Sequence, residues 1–374
     1  MADATDSGHM ARALRLAARG LYTSDPNPRV GCVLARGREV VGEGFHVVAG
    51  EPHAEIEALR AASDRARGAT AYVTLEPCCH HGRTAPCTEA LIEAGVARVV
   101  YALRDPNPAV AGRGAARLEE AGIAVERLDR AGAEARALNI GFVKRMAAGR
   151  PWIRVKVAAS LDGRTALASG ESRGFTGDAS REDVHRWRAR SSCILTGRAT
   201  VAADDPALNV RLGAEQLGID RPARQPWVAI VDSHLRTPTE ARVFDVAPHV
   251  VVFATQHDPA RAAALEARGA EIVLLDAGPG GVAPAPLFAE LARREVNEVH
   301  VEAGPTLCGS LLQTGYVDEL LVYMAPHLLG DSARGMFGMA PLASMDERMP
   351  LHIRDVRRVG ADLCIQALPI IDRE

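Results

Sequence analysis

The chain has 374 residues, more than one ordinary domain core accommodates, and its 47% apolar and 24% charged residues are typical of a globular protein. No apolar run of about 18 residues occurs, so the sequence predicts no membrane-spanning segment and no membrane partner. The formal net charge is −3, without a basic block or a basic–aromatic stretch, which argues against a nucleic-acid partner.

The start of the chain and its cysteines predict a cytoplasmic protein. The first six residues are acidic and polar, unlike a signal peptide. The seven cysteines are spread over a long chain, which favours reduced thiols or metal ligands over a disulfide framework.

The first half of the chain alternates helical and strand patterns. In chain order the patterns predict a helix over 10–19, a hairpin of strands 30–35 and 40–44, a helix over 53–62, a strand over 70–75, a helix over 88–94, a strand over 96–103 and a helix over 111–121. Such alternation predicts an α/β domain with a mostly parallel sheet covered by helices.

A stretch of small residues around 147–151 predicts a domain boundary, because a second α/β pattern begins after it. That pattern predicts strands over 152–158, 193–196, 227–231, 250–254, 271–275, 298–303 and 319–325, with helices over 180–190 and 306–313. We therefore expect two domains, over residues 1–147 and 151–374.

Three metal-binding side chains in the first half, His53, Cys78 and Cys87, predict a catalytic zinc site. Catalytic zinc takes three protein ligands and keeps one position for water. Each cysteine follows a proline at a predicted helix start, where backbone N–H groups favour the thiolate. Glu55 would carry a proton from that water to a departing amine. The order H-x-E followed by P-C is the signature of zinc-dependent nucleobase deaminases.

Two features of this motif leave alternatives open. Cys79, His80 or His81 could supply a fourth ligand, which would make the zinc structural, although such a site has no use for Glu55. Eight residues separate the two cysteine ligands instead of the usual two; the inserted loop suits a phosphate or a polar heterocycle, or is simply solvated. Residues 53 and 55 would also point to opposite sides of a regular helix, so the zinc must lie beyond the helix end.

In the second half, the strongest local signal is a strand followed by Gly304-Pro305-Thr306-Leu307-Cys308-Gly309. A strand, a glycine turn and a helix start can form an anion site, although an ordinary turn uses the same residues. No G-x-G-x-x-G follows a strand, so a Rossmann fingerprint is absent. Lysine occurs only at Lys144 and Lys156 among 44 basic residues, so Lys156 is either a surface charge or a group that arginine cannot replace.

Ten short motifs along the chain together resemble one family. They are NPRVG (27–31), GEPHAE (50–55), TLEPC (74–78), HHGRT (80–84), DPNP (105–108), VAGRG (110–114), ASLDGR (159–164), ADDP (203–206), EAGPTL (302–307) and VDEL (317–320). With them the chain resembles the bifunctional deaminase–reductases of riboflavin biosynthesis over nearly its whole length. The long gap between the cysteines separates it from cytidine and tRNA-adenosine deaminases.

The resemblance implies a fold, two reactions and a set of partners. The fold would be a cytidine-deaminase-like three-layer α/β domain followed by an α/β domain similar to dihydrofolate reductase. The first domain would use Zn²⁺ to remove the 2-amino group of 2,5-diamino-6-ribosylamino-4(3H)-pyrimidinone 5′-phosphate by hydrolysis. The second would reduce the ribosyl chain to ribityl with NADPH. The partners would be this phosphorylated pyrimidine and further copies of the chain, in a dimer or tetramer.

The resemblance also implies site residues beyond the zinc motif. The cofactor would be held by Ala158, Thr200, Asp204, Ser233 with Arg236 nearby, Gly304, Pro305, Thr306, Leu307, Cys308 and Gly309. The substrate would be held by Asn27, Lys156, Ser172, Arg188, Leu208, Arg211 and Glu302, with Arg188 and Arg211 on the phosphate. Lys156 and water are the candidate proton donors. The family often has a bulky aromatic residue two positions after Ser172, whereas this chain has Gly174 and then Phe175.

One alternative function remains open at this point. The first half could deaminate another nucleobase, as tRNA-editing enzymes do, and the second half could be a regulatory nucleotide-binding domain. Oxidation of NADPH in the presence of the deaminated intermediate distinguishes the two.

Overall fold

Two sheets organise the chain, a five-stranded one in the first half and a nine-stranded one in the second. The computed structural model describes residues 4–79, 86–108, 110–172, 174 and 176–370. The chain divides into two compact units, Met1–Gly149 with Gly218–Arg221, and Arg150–Leu217 with Pro222–Glu374. None of the described helices has the length and apolar composition that a bilayer crossing requires.

The first unit contains five strands and six α-helices within the described residues. They are α1 Ala4–Arg19, β1 Gly31–Arg36, β2 Glu39–Phe45, α2 Ala54–Ala62, β3 Thr70–Leu75, α3 Cys87–Glu93, β4 Arg98–Leu103, α4 Arg113–Glu120, β5 Ala124–Arg127, α5 Gly132–Leu138 and α6 Ile140–Ala148. The strand order is β2-β1-β3-β4-β5. The β3–β4 and β4–β5 pairs are parallel, while β1 is antiparallel to both its neighbours, so the sheet is more mixed than the alternation predicts.

Glycines bring helices close to both faces of this sheet. A Cβ at Gly31 would lie 2.0 Å from the carbonyl oxygen of Ala13 in α1. On the opposite face, a Cβ at Gly42 would lie 2.4 Å from the carbonyl oxygen of Ala58 in α2. Helix, sheet and helix therefore form three layers, as expected, and the close packing fixes the position of α2 on the sheet.

The second unit contains thirteen strands and seven α-helices within the described residues. They are β6 Trp152–Ser160, β7 Arg164–Ala166, α7 Asp178–Arg190, β8 Cys193–Gly197, α8 Arg198–Asp204, α9 Ala214–Leu217, β9 Trp227–Val231, α10 Val243–Val246, β10 Val250–Ala254, α11 Pro259–Glu266, β11 Ala270–Leu274, β12 Ala277–Gly278, β13 Gly281–Val282, α12 Pro284–Arg293, β14 Glu298–Val301, α13 Pro305–Gln313, β15 Glu319–Ala325, β16 Arg334–Gly335, β17 Leu351–Val359 and β18 Asp362–Pro369.

Seven of the nine strands of the large sheet are parallel to one another. The order is β11-β10-β9-β8-β14-β6-β15-β18-β17; the six pairs from β11 to β15 are parallel, and the β15–β18 and β18–β17 pairs are antiparallel. Two short ribbons, β12–β13 and β7–β16, complete the unit. The carboxyl ends of β6, β8, β9 and β14 meet at one edge, which is where open α/β sheets bind ligands.

A buried layer of charged side chains lies between this sheet and α7. Arg154 is only 1% exposed and donates hydrogen bonds to Glu319 at 2.9 Å and to Glu298 at 3.2 Å. Its guanidinium also lies 4.3 Å from the ring centre of Trp187, and Arg190 bonds Glu298 at 2.8 Å. This layer continues along β14 toward the carboxyl edge of the sheet.

Candidate functional site

The three predicted zinc ligands come together in the first unit. His53 immediately precedes α2, Cys78 follows β3 and Cys87 is the first residue of α3. His53 Nδ1 lies 3.2 Å from Cys87 Sγ and 3.6 Å from Cys78 Sγ, and all three donor atoms lie within 4.8 Å of one another. Tetrahedral zinc with ordinary Zn–N and Zn–S bonds would separate such atoms by roughly 3.5 Å, so the donor set fits the ion.

The helix start explains how His53 and Glu55 serve one site. His53 is the N-cap of α2, with the extended dihedral angles φ −74° and ψ 164°, so its ring leaves the chain before helical geometry begins. Glu55 is 4% exposed, and its carboxyl contacts the sulfur of Cys87. Burial and the nearby Cys78 raise the pKa of Glu55 to about 7. The three donor side chains and the Glu55 carboxyl therefore meet beyond the helix end.

The turn that carries Cys78 is held from two sides. The buried Glu76 carboxylate accepts hydrogen bonds from the amides of Asp105 at 3.3 Å, Gly112 at 3.0 Å and Ala115 at 3.2 Å. On the other side, the Cys87 amide donates to Cys78 Sγ at 3.4 Å. Hydrogen bonds from Cys87 and His53 lower the pKa of the Cys78 thiol, as metal binding requires.

Asn27 is connected to the zinc donors through His46. Its Nδ2 donates to His46 Nε2 at 3.1 Å, and the His46 ring lies 5.2 Å from the ring of His53. His46 itself was not predicted, and a lone histidine outside the motif gives no signal in the sequence.

Cys79 is half-buried and does not belong to the donor cluster found among the described residues. The other proposed fourth ligands, His80 and His81, lie with Arg83 outside the described residues.

A second candidate site is a cavity of about 1080 Å³ at the carboxyl edge of the large sheet. Most of the residues predicted for the reductase line it. These are Lys156, Ala158, Ser172, Arg188, Thr200, Asp204, Leu208, Ser233, Glu302, Gly304, Pro305, Thr306 and Leu307. Three predicted residues, Arg211, Cys308 and Gly309, do not line this cavity.

The start of α13 forms one wall of the cavity. The Gly304 amide donates to Thr200 Oγ1 at 3.1 Å, and the first turn of the helix follows, where Thr306 and Leu307 leave amides without helical partners. This cradle fits a pyrophosphate. Gly309 instead packs on a neighbouring loop, since a Cβ there would lie 2.5 Å from the carbonyl oxygen of Gly338.

An ion-paired cluster also lines the cavity. Both oxygens of Glu302 accept hydrogen bonds from Arg188, at 2.5 and 2.9 Å, and Lys156 Nζ lies 3.7 Å from the same carboxylate. Although burial opposes its ionisation, the adjacent Arg188 and Lys156 hold the pKa of Glu302 well below its usual range. The Glu302 carboxylate therefore pairs with two basic side chains that line the cavity.

Several further polar side chains line the cavity and were not predicted as ligands. They are Arg198, His234, Gln256 and Arg334. Arg198 follows a strand directly, so its position could have indicated the site. Arg334 comes from a distant ribbon and carries no local signal. Gly174 has φ +79°, a region that favours glycine, so an aromatic residue there would be strained; its neighbour Phe175 lies outside the described residues.

Comparison with known proteins identifies the family. Residues 151–365 match the RibD C-terminal domain, and residues 3–103 match the zinc-binding region of cytidine and deoxycytidylate deaminases. The riboflavin biosynthesis protein RibD of Escherichia coli is 48% identical over 96% of this chain and 98% of its own. The chain belongs to the RibD family.

Solved RibD structures share the whole fold. A form of Acinetobacter baumannii RibD superposes with a TM-score of 0.90 at 42% identity, over 98% of this chain and 99% of its own. A Thermotoga maritima protein described as a diaminohydroxyphosphoribosylaminopyrimidine deaminase and 5-amino-6-(5-phosphoribosylamino)uracil reductase has a TM-score of 0.84 at 30% identity, with 98% and 99% of the chains covered.

Membership of the RibD family confirms the predicted fold class and both predicted activities, zinc-dependent deamination and NADPH-dependent reduction in riboflavin biosynthesis. A reductase-family match over the second half also disfavours the alternative of a purely regulatory domain.

Proposed function

We propose that the first half deaminates 2,5-diamino-6-ribosylamino-4(3H)-pyrimidinone 5′-phosphate and that the second half then reduces its ribosyl chain to ribityl. The observation that carries the proposal is the pairing, in one chain, of a three-donor metal site beside a buried carboxylate with a cation-lined cavity. The substrate in the description of the Thermotoga maritima relative supports the same assignment.

For the deamination, His53, Cys78 and Cys87 would hold zinc through Nδ1 and two sulfurs. Bound zinc would act as a Lewis acid and lower the pKa of a water molecule toward neutrality. Glu55 takes the proton of the attacking water and returns it to the departing amine, so ammonia leaves as the ring carbon gains its oxygen. Asn27, oriented by His46, contacts the pyrimidine.

For the reduction, the cavity holds the cofactor and the open-chain sugar together. NADPH would supply the hydride for C1′, and the candidate proton donors are water and Lys156, which lines the cavity. Arg188 and Arg211 bind the 5′-phosphate. The proposed cofactor contacts, supported by the cavity wall except at the last two positions, are Ala158, Thr200, Asp204, Ser233, Gly304, Pro305, Thr306, Leu307, Cys308 and Gly309. The remaining proposed substrate contacts are Ser172, Leu208 and Glu302.

The proposal includes domain limits, assembly and compartment. The deaminase occupies residues 1–147 and the reductase 151–374. A homo-oligomer, dimer or tetramer, is supported by apolar side chains on the edge strand β17, where Leu351 is 44%, Ile353 59% and Val356 53% exposed. A cytoplasmic location is supported by the seven cysteines, none of which forms a disulfide in the described chain.

Replacing Glu55 with glutamine tests the deaminase assignment. We expect the rate of deamination to fall by about 10²- to 10⁴-fold, while zinc stays near one ion per chain. Glu57→Gln is the matched control, because Glu57 lies in the same helix and pairs with Arg60 at the surface. Loss of zinc from Glu55→Gln would instead make Glu55 a ligand.

Oxidation of NADPH, followed by its absorbance with the deaminated intermediate supplied, tests the reductase assignment. We expect turnover with the phosphorylated intermediate and none without it. An absence of NADPH oxidation in a preparation that still deaminates would overturn the assignment of the second half.

A further inference from the structure

The loop Leu208–Asn209–Val210–Arg211, called here the 208–211 loop, is held in an unusual conformation beside the reductase cavity. Leu208 lines the cavity, is 3% exposed and has φ +47°. A branched apolar residue seldom adopts this left-handed conformation, which persists only where its surroundings impose it. The contacts of the loop therefore determine its shape.

Side chains from outside the loop bind its backbone at three successive residues. The Val210 amide donates to Gln225 Oε1 at 2.8 Å, and Gln225 Nε2 donates back to the Val210 carbonyl oxygen at 3.1 Å. The Arg211 amide donates to His185 Nδ1 at 3.4 Å. Arg188 completes the set by donating to the Asn209 carbonyl oxygen at 3.0 Å. The loop is thus fixed from two elements, α7 and the segment before β9.

His185 acts as an acceptor in this arrangement, which requires a neutral ring. It is 7% exposed, and burial together with Arg188 and Arg211 lowers its pKa to about 4. The ring therefore accepts at Nδ1 at neutral pH and remains a fixed contact of the loop.

The charges around the loop point to an anionic ligand. Arg188 is paired with Glu302, and Arg242 with Asp205. Within the described part of the chain, the Arg211 guanidinium has no carboxylate in ion-pair contact. Burial and the two neighbouring arginines lower its pKa, so a phosphate dianion would relieve a repulsion already present.

We propose that Gln225 and His185 are positioning residues of the reductase, which hold the 208–211 loop so that Arg211 and Arg188 meet the 5′-phosphate of the substrate. This inference rests on the proposed function, in which those two arginines bind the phosphate. Neither Gln225 nor His185 contacts the substrate; each acts through the backbone of the loop.

The experiment compares the deaminated phosphorylated intermediate with its dephosphorylated form in the full-length enzyme. We expect Gln225→Ala to lower kcat/KM for the phosphorylated compound by about tenfold, since two hydrogen bonds are lost. The value for the dephosphorylated compound and the KM for NADPH should stay unchanged. Gln225→Glu keeps the acceptor for the Val210 amide and should fall between Gln225→Ala and the wild type. His185→Ala should show the same selectivity for the phosphorylated compound.

Gln216→Ala is the matched control. It removes a side-chain hydrogen bond to the Gly213 amide, 3.0 Å long, from the same connecting segment but outside the loop. We expect wild-type kinetics with both compounds. An unchanged KM for NADPH and an unchanged kcat/KM for the dephosphorylated compound show that the reductase unit of each variant is folded, and Gln225→Glu carries the test if Gln225→Ala does not fold.

The possible results distinguish the phosphate role of Arg188 and Arg211 from the positioning role of Gln225 and His185. A wild-type enzyme that reduces both compounds equally well would overturn the proposed function of Arg188 and Arg211 in binding the 5′-phosphate. A wild-type enzyme that discriminates, with Gln225 and His185 variants that discriminate as strongly, would overturn the positioning role alone. Equal losses of kcat/KM with both compounds would also overturn the positioning role, because they would indicate a general loosening of the reductase unit.

Discussion

Replacing Gly114 with alanine would test how rigidly the turn carrying Cys78 must be held. Gly114 lies in the first turn of α4, and a Cβ there would lie 2.0 Å from the carbonyl oxygen of Pro77 and 3.3 Å from Glu76 Oε1. Ordinary contacts of this kind begin at 3.4 Å, so either α4 or the turn must move by more than about 1 Å. Pro77 directly precedes Cys78, a proposed metal ligand, so the displacement reaches the proposed zinc site.

The expected cost is that of overpacking a closely packed interior, about 1–3 kcal/mol. If that cost falls on the zinc-bound geometry, zinc affinity drops by about 5- to 160-fold. Competition with a chromophoric chelator measures the affinity, and the deamination rate should fall in parallel, while NADPH oxidation by the reductase is unchanged. Gly8→Ala is the control: Gly8 lies within α1 with nothing within 4 Å of the added carbon, so this change should stabilise the helix by about 0.5–1 kcal/mol. Wild-type zinc affinity in Gly114→Ala would refute the reasoning.

Three further predictions follow from the same structure. Removal of zinc with a chelator should abolish deamination but leave NADPH oxidation intact, and added Zn²⁺ should restore deamination. Arg154→Met should lower the free energy of unfolding of the reductase half by about 3–5 kcal/mol in a urea titration, because Glu298 and Glu319 lose a shared buried partner. Burial lowers the pKa of His300 from 6.5 to about 3, so between these pH values the unfolded chain binds one proton more than the folded chain. The free energy of unfolding should therefore decline as the pH falls from 6.5 toward 3, by up to about 1.4 kcal/mol per pH unit. His300→Leu should remove this part of the pH dependence.

A specific result would contradict each of these three predictions. Loss of reduction together with the zinc would mean that the reductase depends on the metal. An Arg154→Met variant as stable as the wild type would mean that the buried carboxylates find other partners or become protonated. An unchanged acid slope in His300→Leu would mean that other groups, such as His185, dominate it.

The cluster of His53, Cys78 and Cys87 could be predicted from the sequence because each of these residues directly follows a proline in the H-x-E and P-C motifs. Among the described residues, His53 and Cys87 lie at helix starts, whereas Cys78 follows β3. The sequence required the site to lie beyond the helix end, but it did not predict that His53 is the N-cap of α2 instead of its first helical residue. The hydrogen bonds that Glu76 accepts could not be predicted either, since the three donating amides come from the segment 105–115, far along the chain.

In the second half, the central strands were predicted well because parallel strands buried on both faces read as continuous apolar runs. The edge strand β17 was missed: it carries Arg354, Arg357 and Arg358, and most of its residues are exposed, so no apolar alternation marks it. Its existence depends on pairing with β18, which a local pattern does not contain. Gln225 and His185 were missed for the same reason, since their contacts join distant parts of the chain.

In strand β14 the alternation of polar and apolar residues does not mark a face exposed to water. Its sequence alternates polar and apolar residues, which ordinarily indicates one face in water. Here Glu298 and His300 are fully buried beneath α7, and Glu302 follows on the same face at the edge of the cavity. Arg190 and Arg188 of α7 pair with the first and last of these carboxylates. Because unpaired buried charges are costly, the arginines of α7 and the carboxylates of β14 require one another, and the cavity wall is the exposed end of this buried layer.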